Sequence, residues 1–153
     1  FSVGSIDEKV WQQTEPGTAN PLARLEVMQY LVENGIPAGV MMAPLLPGIS
    51  DGQDSINNVV SAAESHKAQF LAANVLFLKP GSKEWFMPMI QDAYPHLLPG
   101  YAKLYRGTYA ASDYTKNVLR AVDETRQLFG LSTRIPARDL KTHQGQLEMS
   151  LIA

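Results

Sequence analysis

The chain has 153 residues, enough for one domain with a sizeable core, and its 45% apolar and 18% charged residues exclude a disordered chain. Thirteen basic against fifteen acidic side chains leave a net charge of −2 with no Lys/Arg-rich run, so general attraction to nucleic acid is weak. The absence of cysteine excludes a disulfide framework, a thiolate nucleophile and sulfur ligation of a metal by this chain, and no apolar stretch approaches bilayer length.

Phe1–Ser5 has strand character from the first residue. With no initiator Met and no lead-in, it reads as a chain cut inside a larger fold, or else as a trimmed one whose first strand starts early. A polar loop follows, containing the run Thr14-Glu15-Pro16-Gly17-Thr18. Asn20-Pro21 is a helix start, Asn as N-cap and Pro at the first helical position. Leu22, Leu25, Met28 and Val32, with Leu31 beside them, line one face at helical spacing, and Gly35 ends the helix. Ala38–Met42 reads as a second strand, apolar on both faces as in a parallel sheet covered by helices.

Pro44, Pro47 and Gly48 then close that strand in a turn. Backbone left unpaired beyond a parallel strand is well placed to hydrogen-bond a flat ligand. Ser50-Asp51 is a cap for the next helix, whose inward stripe is Ile56, Val59, Val60 and Ala63. Asn74–Leu78 reads as a third strand, ending at Lys79-Pro80-Gly81. A helix from Ser82 carries Trp85, Phe86, Met89 and Ile90, with Pro88 to kink it or delay its start. Short (Pro99–Tyr105) and longer (Ser112–Phe129) helices follow. Residues 1–131 are expected to form the folded part and 132–153 a polar tail.

Alternation of strands and helices forces a parallel sheet. With three strands the expected class is α/β: a partial (β/α) barrel fragment of three parallel strands with crossover helices plus C-terminal helices. Its first strand leaves an open edge that favours self-association.

Several blocks carry a family resemblance: Phe1-Ser2-Val3, Asp7-Glu8 through Glu15-Pro16-Gly17-Thr18, Ala23–Glu26, Gly35 through Gly48, and Leu76–Pro80. Over residues 1 to about 130 the order resembles the C-terminal half of radical S-adenosylmethionine proteins of the spore-photoproduct-lyase-like (DNA-repair-photolyase-like) family. The resemblance implies strands four to six of a partial (β/α)6 barrel. It also implies S-adenosylmethionine and a 4Fe-4S cluster as cofactors of the intact protein, the cluster being held by a three-cysteine motif in a missing N-terminal half-barrel. In the intact protein the reaction would be reductive cleavage of S-adenosylmethionine and hydrogen abstraction, with a nucleic-acid lesion as one candidate substrate. This cysteine-free chain would be inactive alone.

On the same resemblance, Ser2 matches a ribose-side position, and main-chain groups of Ala43 and Leu45 match those that meet adenine. Glu15, placed to pair with Arg24 over the barrel mouth, and Lys79, at a strand end, fall on the substrate side. Unaided, these residues also read as a strand hydroxyl, a plain turn, a surface ion pair and a snorkelling lysine.

His66, His96 and His143 have no metal-ligand spacing, and the aromatics around the C-terminal helices are explained by packing. In the tail, Gln146-Leu147-Glu148-Met149-Ser150-Leu151 resembles peptides that enter a groove on the bacterial sliding clamp. Gln146, Leu147, Met149 and Leu151 would be the anchors, against the alternative of a tail docked on its own domain. Two readings of another class stay open: a non-catalytic half-barrel binding a nucleotide or partner chain, and a clamp-recruited module. A cytoplasmic protein without membrane contact is expected.

Overall fold

A computed structural model describes residues 1–134. Helices α1 (Glu8–Thr14) and α2 (Pro21–Glu33) precede strand β1 (Val40–Leu45), and α3 (Gln53–Ser65) crosses to strand β2 (Leu71–Val75). Helices α4 (Ser82–Ala93), α5 (Leu98–Leu104) and α6 (Ser112–Leu128) follow, with a 3-10 turn at Pro95–Leu97. β1 and β2 pair in parallel, Val40 opposite Leu71 and Leu45 opposite Val75. The chain is thus mixed α/β, with none of its described helices long and apolar enough to cross a membrane.

The three-stranded sheet expected from the sequence is replaced by a two-stranded one with single bridges on both sides. Phe1–Ser5 contributes only a parallel bridge, Ser2 to Met41, made by the Val3 N–H to the Met41 carbonyl (3.0 Å) and the Met41 N–H to the Phe1 carbonyl (2.8 Å). On the far side Phe70 bridges Ser132, so the segment expected to be a tail starts by extending the wall. β2 begins three residues before the expected Asn74. The apolar Phe77 and Leu78 instead turn to the loop before α6, Phe77 bridging Tyr109 and the Leu78 N–H bonding the Thr108 carbonyl at 2.8 Å.

Burial alternates along β1, and this corrects a second expectation. Val40, Met42, Leu45, Leu71 and Val75 are buried beneath α2, α3 and α6, in a core with Leu25, Met28, Ile56, Val59, Val60, Val118 and Val122. Ser2, Met41 and Ala72 share the other face, where Ser2 and Met41 are exposed. Parallel sheets ordinarily have both faces covered. This one has an open face. The sheet's close contact is set at Gly39, where a Cβ would stand 2.5 Å from the Phe70 carbonyl oxygen.

Where the helix signals were strong, the helices follow them. Asn20 caps α2 by accepting from the Leu22 N–H (2.9 Å), and the α3 stripe Ile56, Val59, Val60 and Ala63 is buried as expected. Ser50 and Asp51 do not cap α3, whose N-cap is Gly52. Instead they brace the turn before it: the Ser50 Oγ accepts from the Leu46 N–H (2.9 Å) and the Asp51 Oδ1 from the Gly48 N–H (2.7 Å). α4 starts at Ser82 as expected, with Gly81, at φ of 89°, in its N-cap position.

Three tyrosines tie the strand ends to the C-terminal helices. Tyr101 donates to the Pro47 carbonyl (2.9 Å), Tyr105 to the Leu76 carbonyl (2.9 Å), and Tyr114 to Asp51. Burial raises the pKa of all three phenols above the usual value, and the Asp51 carboxylate adds to the rise. A phenol harder to ionise in the fold adds stability that is fully present below the unfolded value of about 10 and is lost as pH climbs above it. Unfolding is therefore expected to accelerate above about pH 10, with tyrosinate absorbance and loss of circular dichroism rising together. Full tyrosinate formation in a folded chain would contradict this.

Candidate functional site

Gly4-Ser5, Pro44 and Leu46, and Leu76-Phe77 lie where the three parallel segments end, and they border one cleft of about 340 Å³. That size falls at the lower end of small-molecule sites, roughly 300–1,000 Å³. One wall is α1 with Val10, Trp11 and Thr14, continued by Glu15. The other is the start of α4 with Ser82, Trp85 and Phe86.

Local sequence explains each border. Between Met42 and Leu45 the β1 register slips by one residue against β2, a bulge of the kind that re-aims a strand end. Gly4 meets that bulge closely, since a Cβ there would stand 2.7 Å from the Pro44 carbonyl oxygen. α1 starts at Asp7, whose carboxylate accepts from the Val10 N–H (2.8 Å), and the Tyr94 hydroxyl ties α1 to the end of α4 through Gln13 (2.5 Å). The sequence predicts a polar loop here. The helix buries none of its residues, so it carries no apolar stripe to find.

Arg24 holds the α1 side together. Its guanidinium donates to the Ala19 carbonyl (2.8 Å), the Ser2 carbonyl (2.8 Å), Glu15 Oε2 (2.7 Å) and Thr18 Oγ1 (2.7 Å). Thr18 Oγ1 also accepts from the Trp11 indole N–H at 2.9 Å. The Arg24 side chain is only 14% exposed, so the expected Glu15–Arg24 contact is a shielded clamp rather than a loose surface pair.

The cleft's chemistry is aromatic with a few polar points. Neither the Trp11 nor the Trp85 indole contacts another ring among the described residues, and Trp85 is 52% exposed. Phe77 packs edge-on against Tyr109, centroids 5.2 Å apart. The Ser5 hydroxyl accepts from the Asp7 N–H (3.1 Å) and that of Ser50 from Leu46 N–H. Neither gives its own proton to a described acceptor, and the Ser82 hydroxyl makes no bond among the described residues. Glu15 Oε1 is likewise an open acceptor among them. The cleft can thus stack a flat ring and exchange hydrogen bonds with its edge or substituents.

Of the residues singled out from sequence, Glu15 borders the cleft. Ala43 sits half-buried in the bulge and Leu45 is fully buried. Their neighbours Pro44 and Leu46 face the cleft instead, and the Leu45 carbonyl accepts from the Leu76 N–H at 3.0 Å. Ser2 lies exposed on the open sheet face, and Lys79 is exposed outside the cleft lining. His143, Gln146, Leu147, Met149 and Leu151 lie outside the described residues. Trp11, Trp85, Phe77, Ser5 and Ser50 are not among the site residues expected from sequence, although the turn at Pro44, Pro47 and Gly48 lies beside Ser50 and the strand end at Lys79-Pro80-Gly81 beside Phe77.

A 4Fe-4S cluster does not fit this chain. It has no cysteine, and no group of three or more His, Asp or Glu residues among the described ones could hold a metal.

No protein-family model matches the chain, and no solved structure matches it. It is similar to uncharacterized proteins of Mycobacterium tuberculosis and Mycobacterium bovis, each 29% identical over 109 residues, or 71% of this chain and 32% of theirs. The chain thus matches about a third of the length of these curated relatives.

Hydrogen bonds from a charged donor contribute about 1.5–3 kcal/mol when buried and less where, as for three of the four Arg24 bonds, they are solvent-exposed. Arg24→Ala should therefore lower stability by about 1 kcal/mol in chemical denaturation and shift the Trp11 emission, as its clamp through Thr18 is lost. An unchanged midpoint and spectrum would show that the clamp does not order this wall.

Proposed function

We propose that the cleft binds a nucleoside, the adenosyl group of S-adenosylmethionine, as part of a radical S-adenosylmethionine enzyme. The observation that carries this reading is the position of the cleft, at the C-terminal ends of parallel segments, where α/β folds place their ligands. Its chemistry supports the same ligand. A purine would stack on the indoles of Trp11 and Trp85 and on Phe77, Glu15 Oε1 would accept from a ribose hydroxyl or an exocyclic amine, and Ser5 and Ser50 would donate. Ser2, Ala43 and Leu45 stand next to these groups rather than among them, so the first and second strand ends act through Gly4, Ser5, Pro44 and Leu46.

The cluster would have to come from another segment of a longer protein, and the chemistry of the whole enzyme is not assigned to these residues. Two features support a longer assembly. The sheet face bearing Ser2, Met41 and Ala72 is open, and the outer side of α2 presents Leu22, Val27 and Tyr30 to solvent, at 42%, 53% and 65% exposure. Partial barrel geometry, three parallel segments closing against further strands, is our reading of that open face. A non-catalytic half-barrel that binds the same nucleoside is the second reading, favoured by the lack of any cysteine.

Adenosine added to the iron-free chain should quench tryptophan emission and saturate. Stacking on one aromatic contributes about 1–3 kcal/mol per base, so Trp85→Ala should weaken binding by about tenfold. Absence of saturable quenching, or full affinity in Trp85→Ala, would overturn the assignment.

A further inference from the structure

We infer that residues 146–151 of this chain, Gln-Leu-Glu-Met-Ser-Leu, pair as a strand with the outer edge of β2. The inference does not depend on the nucleoside reading. Backbone groups of successive strand residues point alternately toward the two neighbouring positions in a sheet. The Leu76 N–H, on the β1 side, bonds the Leu45 carbonyl (3.0 Å), whereas the Leu71 N–H bonds the Ser132 carbonyl (2.8 Å), away from β1. Those of Ala73 and Val75 point the same way as Leu71, and no described residue accepts from them there. Ser132 opposite Phe70 closes one end of this edge and Tyr109 opposite Phe77 the other, with β2 open between them.

Exposed edges are ordinarily blunted by charge, proline or a covering group. The opposite edge of the wall is covered, since Arg24 donates to the outward Ser2 carbonyl (2.8 Å). β2, Leu-Ala-Ala-Asn-Val, carries neither charge nor proline. Two hollows, of about 200 and 270 Å³, run along it against α6. Leu71, Ala73, Leu119 and Val122 border the first, and Val75, Thr115 and Lys116 the second. A strand lying there has α6 on one face and the open side of the sheet on the other, so it needs apolar and polar residues in alternation. Residues 146–151 have that pattern, Leu147, Met149 and Leu151 alternating with Gln146, Glu148 and Ser150.

The residues directly after Ser132 do not supply this strand. The chain bends there, the Ser132 hydroxyl donating to the Arg134 carbonyl. Pro136, which a continued register would aim at β2, has no N–H to give. The described chain ends at Arg134, beside the Leu71 end of the edge. Residues 135–145 span up to about 36 Å when extended. A five-residue strand is about 17 Å long, so residues 146–151 reach the edge from either end. Paired there, Leu147, Met149 and Leu151 lie against α6 and are closed to a groove on any other protein until the strand is displaced.

Amide hydrogen exchange in the full, isotopically labelled chain tests the pairing. The Ala73 and Val75 amides should exchange at least about tenfold more slowly than in the double variant Leu147→Asp, Met149→Asp, whose carboxylates cannot enter an apolar hollow unpaired. The Val60 amide in α3 should be unchanged, which confirms the fold of the variant. In the unaltered chain, methyl groups of Leu147, Met149 or Leu151 should give nuclear Overhauser contacts with those of Leu119 and Val122. Equal exchange in the chain and the variant, or slow exchange without those contacts, would overturn the inference. Protection that grows with protein concentration would assign the edge to a second copy of the chain, and would overturn it too.

Discussion

Parallel pairing is the constraint on which the rest of the structure depends. Three extended segments, Phe1–Val3, β1 and β2, run the same way, so each link between them must cross the wall and return. α1 and α2 form the first link and α3 the second, while every segment ends at the same rim. The loops leaving that rim are free of ladder duty and can be shaped by local chemistry. Here they become a bulge at Ala43-Pro44, a turn braced by Ser50 and Asp51, and a close approach of Gly4 to Pro44.

The rim is held from two sides by different means. On one side, Tyr101, Tyr105 and Tyr114 cap carbonyls and a carboxylate from the C-terminal helices, joining polar strand ends to an otherwise apolar core. On the other, α1 buries nothing and depends on side-chain bonds: Asp7 at its start, Tyr94 to Gln13, and the Arg24 clamp beyond it. Few buried contacts make α1 the part of the cleft wall with the least packing to hold it. The indole on that helix is thus positioned by hydrogen bonds, whereas Trp85 stands on a helix anchored by Phe86 and Ile90.

Much of this was legible in the sequence where one residue carries a strong local preference. Asn20-Pro21 and Gly35 bounded α2, the stripe from Ile56 to Ala63 gave α3, and Pro44, Pro47 and Gly48 marked the rim. β2 was misplaced because Leu76, Phe77 and Leu78 are as apolar as a strand core, yet they pair across to Thr108 and Tyr109. The open face of the sheet was unreadable for a related reason: Met41 and Ala72 are apolar whether covered or not. The cleft itself joins residues far apart in the chain, Trp11 with Trp85 and Glu15 with Ser82, and no spacing along the chain announces that meeting.

The central claim is that the rim of the parallel wall, rather than the open sheet face, receives the ligand. Amide and indole chemical shifts recorded while adenosine is added to the isotopically labelled chain test it most directly. The account predicts saturable shifts at Gly4, Ser5, Leu46 and Phe77 and at the indole N–H groups of Trp11 and Trp85. Shifts confined to Ser2, Met41 and Ala72 on the open face would contradict it.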